Sequence, residues 1–255
     1  MIILTELLSN DRTVDSFDQF RLCSARWWKD TRTDGRRAGS VTIMRIGDHE
    51  ISRDEALLIL RRYAERHAGT VLLYDLAGDS NGRPGPGGAS EPVNEVTLAD
   101  IGRLVVINAG LRADDVPLLL DVHAGAEFQA VPATARLQDC APGSDLYEAA
   151  TRLYDRFRRL PGVGAVKRSK LLHIKRPWLI TIYDTHVHCV YARTRDAARG
   201  WWEAARRDLI DNSDDFAWLS AGLRDDDDAR VRRAGRLTEL RLLDVIAWEL
   251  GAEKG

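Results

Sequence analysis

The stretch RRLPGVGAVKRSKLL at 158–172 constrains the fold more than any other part of this chain. Before it, SDLYEAATRLYDRFRRL carries Leu146, Ala150, Leu153, Tyr154 and Phe157 at three-to-four spacing, the stripe of an amphipathic helix with one face to bury. Pro161 cannot continue that helix. Gly162 and Gly164 let the backbone turn sharply and leave no side chain on the outside of the turn. A second helix, GAVKRSKLLHIK, then starts at about Gly164. Its first N–H groups point out of the turn with the positive end of the helix dipole behind them, an arrangement that accepts a phosphate without any side chain. A tight corner whose glycines only let two helices pack closely has the same local sequence, so the turn alone names no function.

Charge sharpens the question. Net charge is −2, so the whole molecule is no polycation and attraction to nucleic acid needs a local patch. Between 152 and 176 stand Arg152, Arg156, Arg158, Arg159, Lys167, Arg168, Lys170, Lys175 and Arg176, opposed only by Asp155. Lys167, Arg168 and Lys170 fall in the first turns of the second helix, where cations oppose the dipole, and a polyanion would favour them. A weaker cluster is Lys29, Arg32, Arg36 and Arg37, and the compensating acid is the DDDD run at 225–228, read as a solvated loop or helix edge.

The rest of the pattern is helical. SRDEALLILRRYAERHAG opens with a capping box, Ser52 with Glu55, and closes at Gly69. TLADIGRLVVINAG opens at Thr97 with Asp100 and stops at Gly110, and ADDVPLLLDVHAG has Pro117 near its first turn. DTHVHCVYARTR, WWEAARRDLI and LTELRLLDVIAWELG follow. Strand candidates are SVTIMRI at 40–46 and TVLLYDL at 70–76. The expected fold is mainly α: an N-terminal segment, 1–50, partly β and loop and packed on the core, then a helical domain over 51–255 with the helical hairpin at 145–176. Residues 79–94, DSNGRPGPGGASEPVN, read as a mobile loop, either a lid or an inert insertion, and RTDGRRAGS at 32–40 as a second loop.

With 44% hydrophobic residues in 255, the chain can bury one substantial core, and no stretch approaches the ~20 apolar residues of a membrane span. The N-terminus has no basic leader or cleavage site, and Cys23, Cys140 and Cys189 are too few and too far apart for a disulfide framework or a four-cysteine metal or iron–sulfur site. A cytoplasmic protein is expected, nucleoid-associated when bound to DNA.

The turn is not alone, because IYDTHV follows at 182–187. LPGVG, a helix, a short loop and then an Asp-Thr-His segment opening another helix resemble the helix-hairpin-helix DNA glycosylases, the endonuclease III-like superfamily. The likeness runs over 160–193. NEVTLADIGRLVVINA at 94–109, KRPWLITIYD at 175–184 and LRLLDVIAWEL at 240–250 also resemble an uncharacterised actinobacterial family related to that superfamily. The first resemblance implies that Asp184 is the catalytic aspartate. A carboxylate beside the sugar stabilises the oxocarbenium character that builds as an N-glycosidic bond breaks, and can orient or deprotonate the attacking water. The base must first leave the stack and enter a pocket. Gly162, Val163 and Gly164, with Lys167, Arg168 and Lys170, would hold the neighbouring phosphate of double-stranded DNA. Asp is also a favoured helix N-cap, and both roles can coexist at Asp184.

The chain departs from the family in two places. Bifunctional members carry a lysine two residues after the second glycine, forming a Schiff base with the sugar; here that position is Val166. Lys167 is rotated by about 100° from it, so a monofunctional enzyme is expected. The family's C-terminal iron–sulfur cluster has no cysteines to hold it, since only Cys189 lies beyond the hairpin, and no cofactor is expected. Some members bind a monovalent cation through hairpin carbonyls, which would map to Arg158, Leu160 and Val163. His186 and His188 should diverge on a helix and make no metal pair. Tyr183, Trp27 and Trp28 are candidates to stack on an extruded base or to fill its gap, while Trp201 and Trp202 read as core. The expected activity is removal of a damaged or modified base, in DNA repair or in defence against phage DNA with modified bases. The competing reading is a non-catalytic DNA-binding module that keeps Asp184 only as a cap.

Overall fold

The computed structural model describes residues 42–76, 93–191 and 199–252, with only the backbone described at 199 and 200. The chain divides into two units, Met1–Ser40 and Val41–Gly255, so the one small sheet stands with the helical unit. Trp27, Trp28, Cys23, the Lys29–Arg37 basic cluster, the 32–40 loop and most of the 79–94 segment lie outside the described residues.

The described fold is mainly α with one β-hairpin near the N-terminus. Strands β1 (Ile43–Ile46) and β2 (His49–Ser52) pair antiparallel, Ile43 opposite Ser52 and Ile46 opposite His49. Gly47 makes the turn at φ +59°, and Met44, Ile46 and Ile51 point into the core. Ser52 ends β2 and caps the next helix, Arg53–Arg66, its hydroxyl accepting the Glu55 N–H at 3.2 Å.

The expected strand at 70–76 is instead helical. After Ala68–Thr70 the chain widens into a π-type turn over Val71–Asp75, with Leu76 N–H reaching Val71 O at 3.0 Å. Burial explains the correction. Val71, Tyr74 and Asp75 go inside while Leu72 and Leu73 are exposed, a three-to-four spacing that a short apolar run does not reveal.

The helix Leu98–Val106 carries the full capping box, Thr97 and Asp100 bonding reciprocally, and ends through Asn108 and Gly110, both at positive φ. Short helices Asp115–Leu120 and Gly125–Gln129 lead to the long helix Asp145–Arg158, capped by Ser144, and on to Ala165–Lys175 and Thr185–Tyr191. Arg199–Asp211 is followed by Ser213–Arg224 and Ala229–Ala234, with the DDDD run between the last two. There Asp228 caps the shorter helix and Asp226 pairs with Arg61 at 2.8 Å.

The final helix, Glu239–Ala252, runs through the core of the helical unit. It is buried nearly all round, Leu240 through Ala247 without a break. Two charged residues on it are therefore internal. Arg241 donates to Asp75 Oδ1 at 2.8 Å and to the Tyr63 hydroxyl at 2.7 Å, and Asp244 Oδ2 accepts the Ile182 N–H at 3.0 Å. Thr238 caps this helix by accepting the Arg241 N–H and donates to Pro177 O.

Two cations counted from the sequence as part of a basic patch also lie in this interior. Lys175 is fully buried against Asp100 at 2.5 Å. Arg176, equally buried, donates to the carbonyls of Phe128, Val131, Val93 and Lys175 and to Asn94 Oδ1, and burial pulls its guanidinium down to about 10. Among the described residues no helix is long and apolar enough to cross a membrane.

Candidate nucleic-acid interface

Backbone hydrogen bonds shape the hairpin turn. Leu160 N–H reaches Phe157 O at 3.2 Å as the Asp145–Arg158 helix ends, and Val163 N–H reaches Leu160 O at 3.3 Å. Gly162 sits at φ +75°, which a side chain would resist. Val163 plugs the corner into the core, leaving Pro161, Gly162 and Gly164 exposed. Gly164, the N-cap of Ala165–Lys175, supplies no side-chain hydrogen bond, so the first N–H groups of that eleven-residue helix have no side-chain cap.

The basic side chains behind this turn face inward. Lys167 Nζ bonds Asp115 Oδ2 at 2.6 Å and Gly162 O at 3.1 Å, stitching the turn closed. Arg168 is buried with its guanidinium 4.2 Å from the centre of the Tyr154 ring. Lys170 is buried too, its ammonium 3.2 Å from Ile107 O and 3.8 Å from Asp184 Oδ2. Burial lowers the pKa of Lys170, partly offset by the Asp184 carboxylate. Lys167, Arg168 and Lys170, read from the sequence as awaiting a polyanion, thus make contacts within the protein: an ion pair, a ring face and a carbonyl. Cations that reach the surface beside the hairpin are Arg152, Arg158 and Arg159, with Arg156 half-buried, and of these Arg158 pairs with Asp155 at 3.1 Å.

Asp184 lies at the start of the Thr185–Tyr191 helix and caps it. Its Oδ1 accepts the His186 N–H at 3.1 Å, and its carbonyl accepts the His188 N–H at 2.8 Å. Its side chain keeps 25% exposure, and its second oxygen, Oδ2, is the one that faces the Lys170 ammonium. Four contacts that sequence reasoning missed fix it in place. Ser169 Oγ, on the helix after the hairpin, accepts the Tyr183 N–H at 2.9 Å. Asp244 holds Ile182 as described, Lys170 approaches the carboxylate, and Gly251 lets the last helix touch the backbone of His186. At the other end of the short helix Gly47 packs against Val190, where a Cβ would come within 2.8 Å of the Val190 carbonyl oxygen. A charged residue inside the apolar run LRLLDVIAWEL was the available signal for Asp244, because buried charges need partners.

Tyr183 is half-buried, its ring edge-on to Trp201 and tilted against His188. His186 turns to Trp248 instead, so the two histidines diverge. Of the three carbonyls mapped to a monovalent cation, Leu160 O is taken by Val163 N–H, and the ammonium of Lys167 occupies the neighbouring Gly162 O. Two cavities stand out. One, of about 280 Å³, lies between residues 117–123 and 156–160. The other, of about 10 Å³, is in the interior around Asp75, Arg103 and Arg241. Asp184 lines neither.

The fold and site together define a mainly helical protein in which a glycine hairpin and a helix-capping aspartate are joined by a buried polar framework. Residues 57–251 match the model of a family of unknown function, DUF6308, and the chain belongs to that family. No curated protein and no solved structure matches it.

Proposed function

We propose that this protein binds double-stranded DNA through the 161–164 hairpin and hydrolyses the N-glycosidic bond of a damaged or modified base with Asp184, leaving an abasic site. The observation that carries this reading is the tie between the two parts. Ser169 and Lys170, one turn down the helix that the hairpin starts, hold Tyr183 and face Asp184, so a phosphate gripped at Gly164 and a sugar beside Asp184 would share one rigid frame. In that frame the partly exposed carboxylate of Asp184 stabilises the positive charge building on deoxyribose and takes a proton from the attacking water. Lys167 is committed to Asp115 and Val166 cannot form a Schiff base, which supports hydrolysis without strand cleavage. The biological setting is repair or defence against DNA carrying modified bases.

The second reading, a DNA-binding module without chemistry, is favoured by two observations: Asp184 already serves as a cap, and neither cavity has it on its wall. One experiment separates the readings. Duplexes carrying uracil, alkylated or oxidised purines, or glucosylated or deazapurine bases are incubated with the protein and with Asp184→Asn, each read with and without hot alkali. Breaks that need alkali and vanish in the variant support the glycosylase. Breaks without alkali mean that an amine, Lys167 or another such as Lys170 beside Asp184, acts as a lyase nucleophile. Intact strands with DNA binding retained support the module.

A further inference from the structure

The 280 Å³ cleft opens beside the hairpin rather than beside Asp184, and nothing in the proposed chemistry uses it. Leu118, Val122 and Leu160 are half-buried along it, Arg156 lies in the last turn of the helix that runs into Pro161, and Arg159 is its C-cap. Arg152, Arg156 and Arg159 stand at i, i+4 and i+7, one face of that helix, so a basic stripe leads into the cleft. The two arginines differ in their engagement. Arg156 is held in place, donating to His123 O at 3.1 Å with Glu127 at 3.9 Å. Arg159 has no ion-pair partner among the described residues and is exposed. Asp121 is the one acid in the lining.

An apolar wall with two guanidinium groups at its edge suits a ligand that is flat and apolar on one side and anionic on the other. A guanidinium can lie on a nucleobase and also bond a phosphate. The volume is at the small end for ligand sites, right for one nucleotide unit and too small for a larger cofactor. We infer that this cleft is a nucleotide subsite, taking one base and its phosphate from the strand that the hairpin grips. It rests on the DNA-binding half of the reading above and is independent of Asp184.

The test uses the full-length protein and a short fluorescent duplex, measured by anisotropy over a range of salt. Arg159→Gln removes an exposed charge and should lower affinity severalfold and reduce the salt slope by about one. Leu118→Trp fills the cleft without altering charge and should weaken binding about tenfold. Gly164→Asp places a carboxylate at the hairpin and serves as the control for the hairpin itself. Thymidine monophosphate, followed by the ring signals of His123, should shift them where inorganic phosphate at equal concentration does not. Loss of affinity in Gly164→Asp with both cleft variants unchanged would overturn the subsite and leave the hairpin reading standing. Loss in Arg159→Gln alone, with phosphate as effective as the nucleotide, would reduce the cleft to a backbone-phosphate contact and overturn base insertion. Absence of any DNA or nucleotide binding by the wild type would overturn both.

Discussion

Gly251 and His186 touch backbone to backbone: a Cβ at position 251 would overlap the His186 carbonyl oxygen two residues beyond Asp184. This glycine sits inside a buried helix, where it forgoes up to about 1 kcal/mol of helix propensity relative to alanine. Close approach is what the residue provides, and the helix that carries Asp184 is set by it. Gly251→Ala should therefore destabilise the fold by about 2 kcal/mol or more in urea unfolding, since neither helix can give way cheaply. Gly102, in an exposed part of a helix with open space around its missing Cβ, is the matched control. Gly102→Ala should stabilise by about 0.5–1 kcal/mol.

Asp184 carries two roles that substitutions can pull apart. Asn caps a helix as well as Asp does but gives up the charge that faces the buried Lys170 ammonium, so Asp184→Asn should lower the melting temperature modestly, and Asp184→Ala, which loses the cap as well, should cost about 1 kcal/mol more. If the carboxylate acts on sugar, both variants lose base release and Asp184→Asn binds DNA at least as tightly as wild type. Calorimetry alongside the alkali assay reads both effects in the same samples.

Gly164 is extended and open, with no atom within 4 Å of its missing Cβ. An aspartate there would cap the Ala165–Lys175 helix and raise stability by a few tenths of a kcal/mol. The same carboxylate would occupy the place meant for a phosphate. Stability and DNA affinity should thus move in opposite directions, a combination that general damage to the fold does not produce.

Burial raises Asp244 to about 8, with the Arg241 guanidinium opposing and Asp75 reinforcing the shift. In the unfolded chain the proton leaves from the ordinary value of 3.8, so between 3.8 and about 8 the folded state binds more protons. Stability then falls as pH rises across that window, with a slope of up to about 1.4 kcal/mol per pH unit. His173, pushed down to about 3 chiefly by burial, acts in the opposite sense below its ordinary 6.5, and Asp208, raised by burial to about 6, acts mostly below that value as well. Asp75, also raised by burial, acts in the same sense as Asp244, and the lowered Lys170 acts in the opposite one. Asp244→Asn, which can still accept the Ile182 N–H, should flatten the melting temperature between pH 6.5 and 8.

Arg241 joins Asp75 and Tyr63 and lies over the Tyr63 and Tyr74 rings in the core. Arg241→Met leaves Asp75 buried without its partner and should cost about 3–5 kcal/mol. The double variant Arg241→Met with Asp75→Leu should recover much of that loss, which denaturant midpoints would measure.

What the sequence revealed was local. Ser52 and Thr97 announce their helices because a cap acts on the next three residues, and LPGVG breaks its helix by covalent geometry. The strand HEIS escaped notice because four residues paired across a two-residue turn leave little pattern. Counting charge near the hairpin misled because a cation's direction depends on residues far along the chain: Asp115 lies 52 positions from Lys167, and Ile107 lies 63 from Lys170. The settings of Asp184 by Asp244 and Gly251 were hidden for the same reason.

Arg241 and Arg176 have a further consequence for how this chain can be altered. Arg241 holds Asp75, the last residue of the π-type turn before position 77, and Arg176 holds Val93 and Asn94, the first described residues after position 92. Both ends of the 77–92 stretch are thus moored to the core by buried guanidinium groups, whatever lies between them. A foreign domain, an epitope or a shorter connection spliced between the moorings should leave the helical unit and the hairpin intact, which makes that stretch the natural place to attach a reporter.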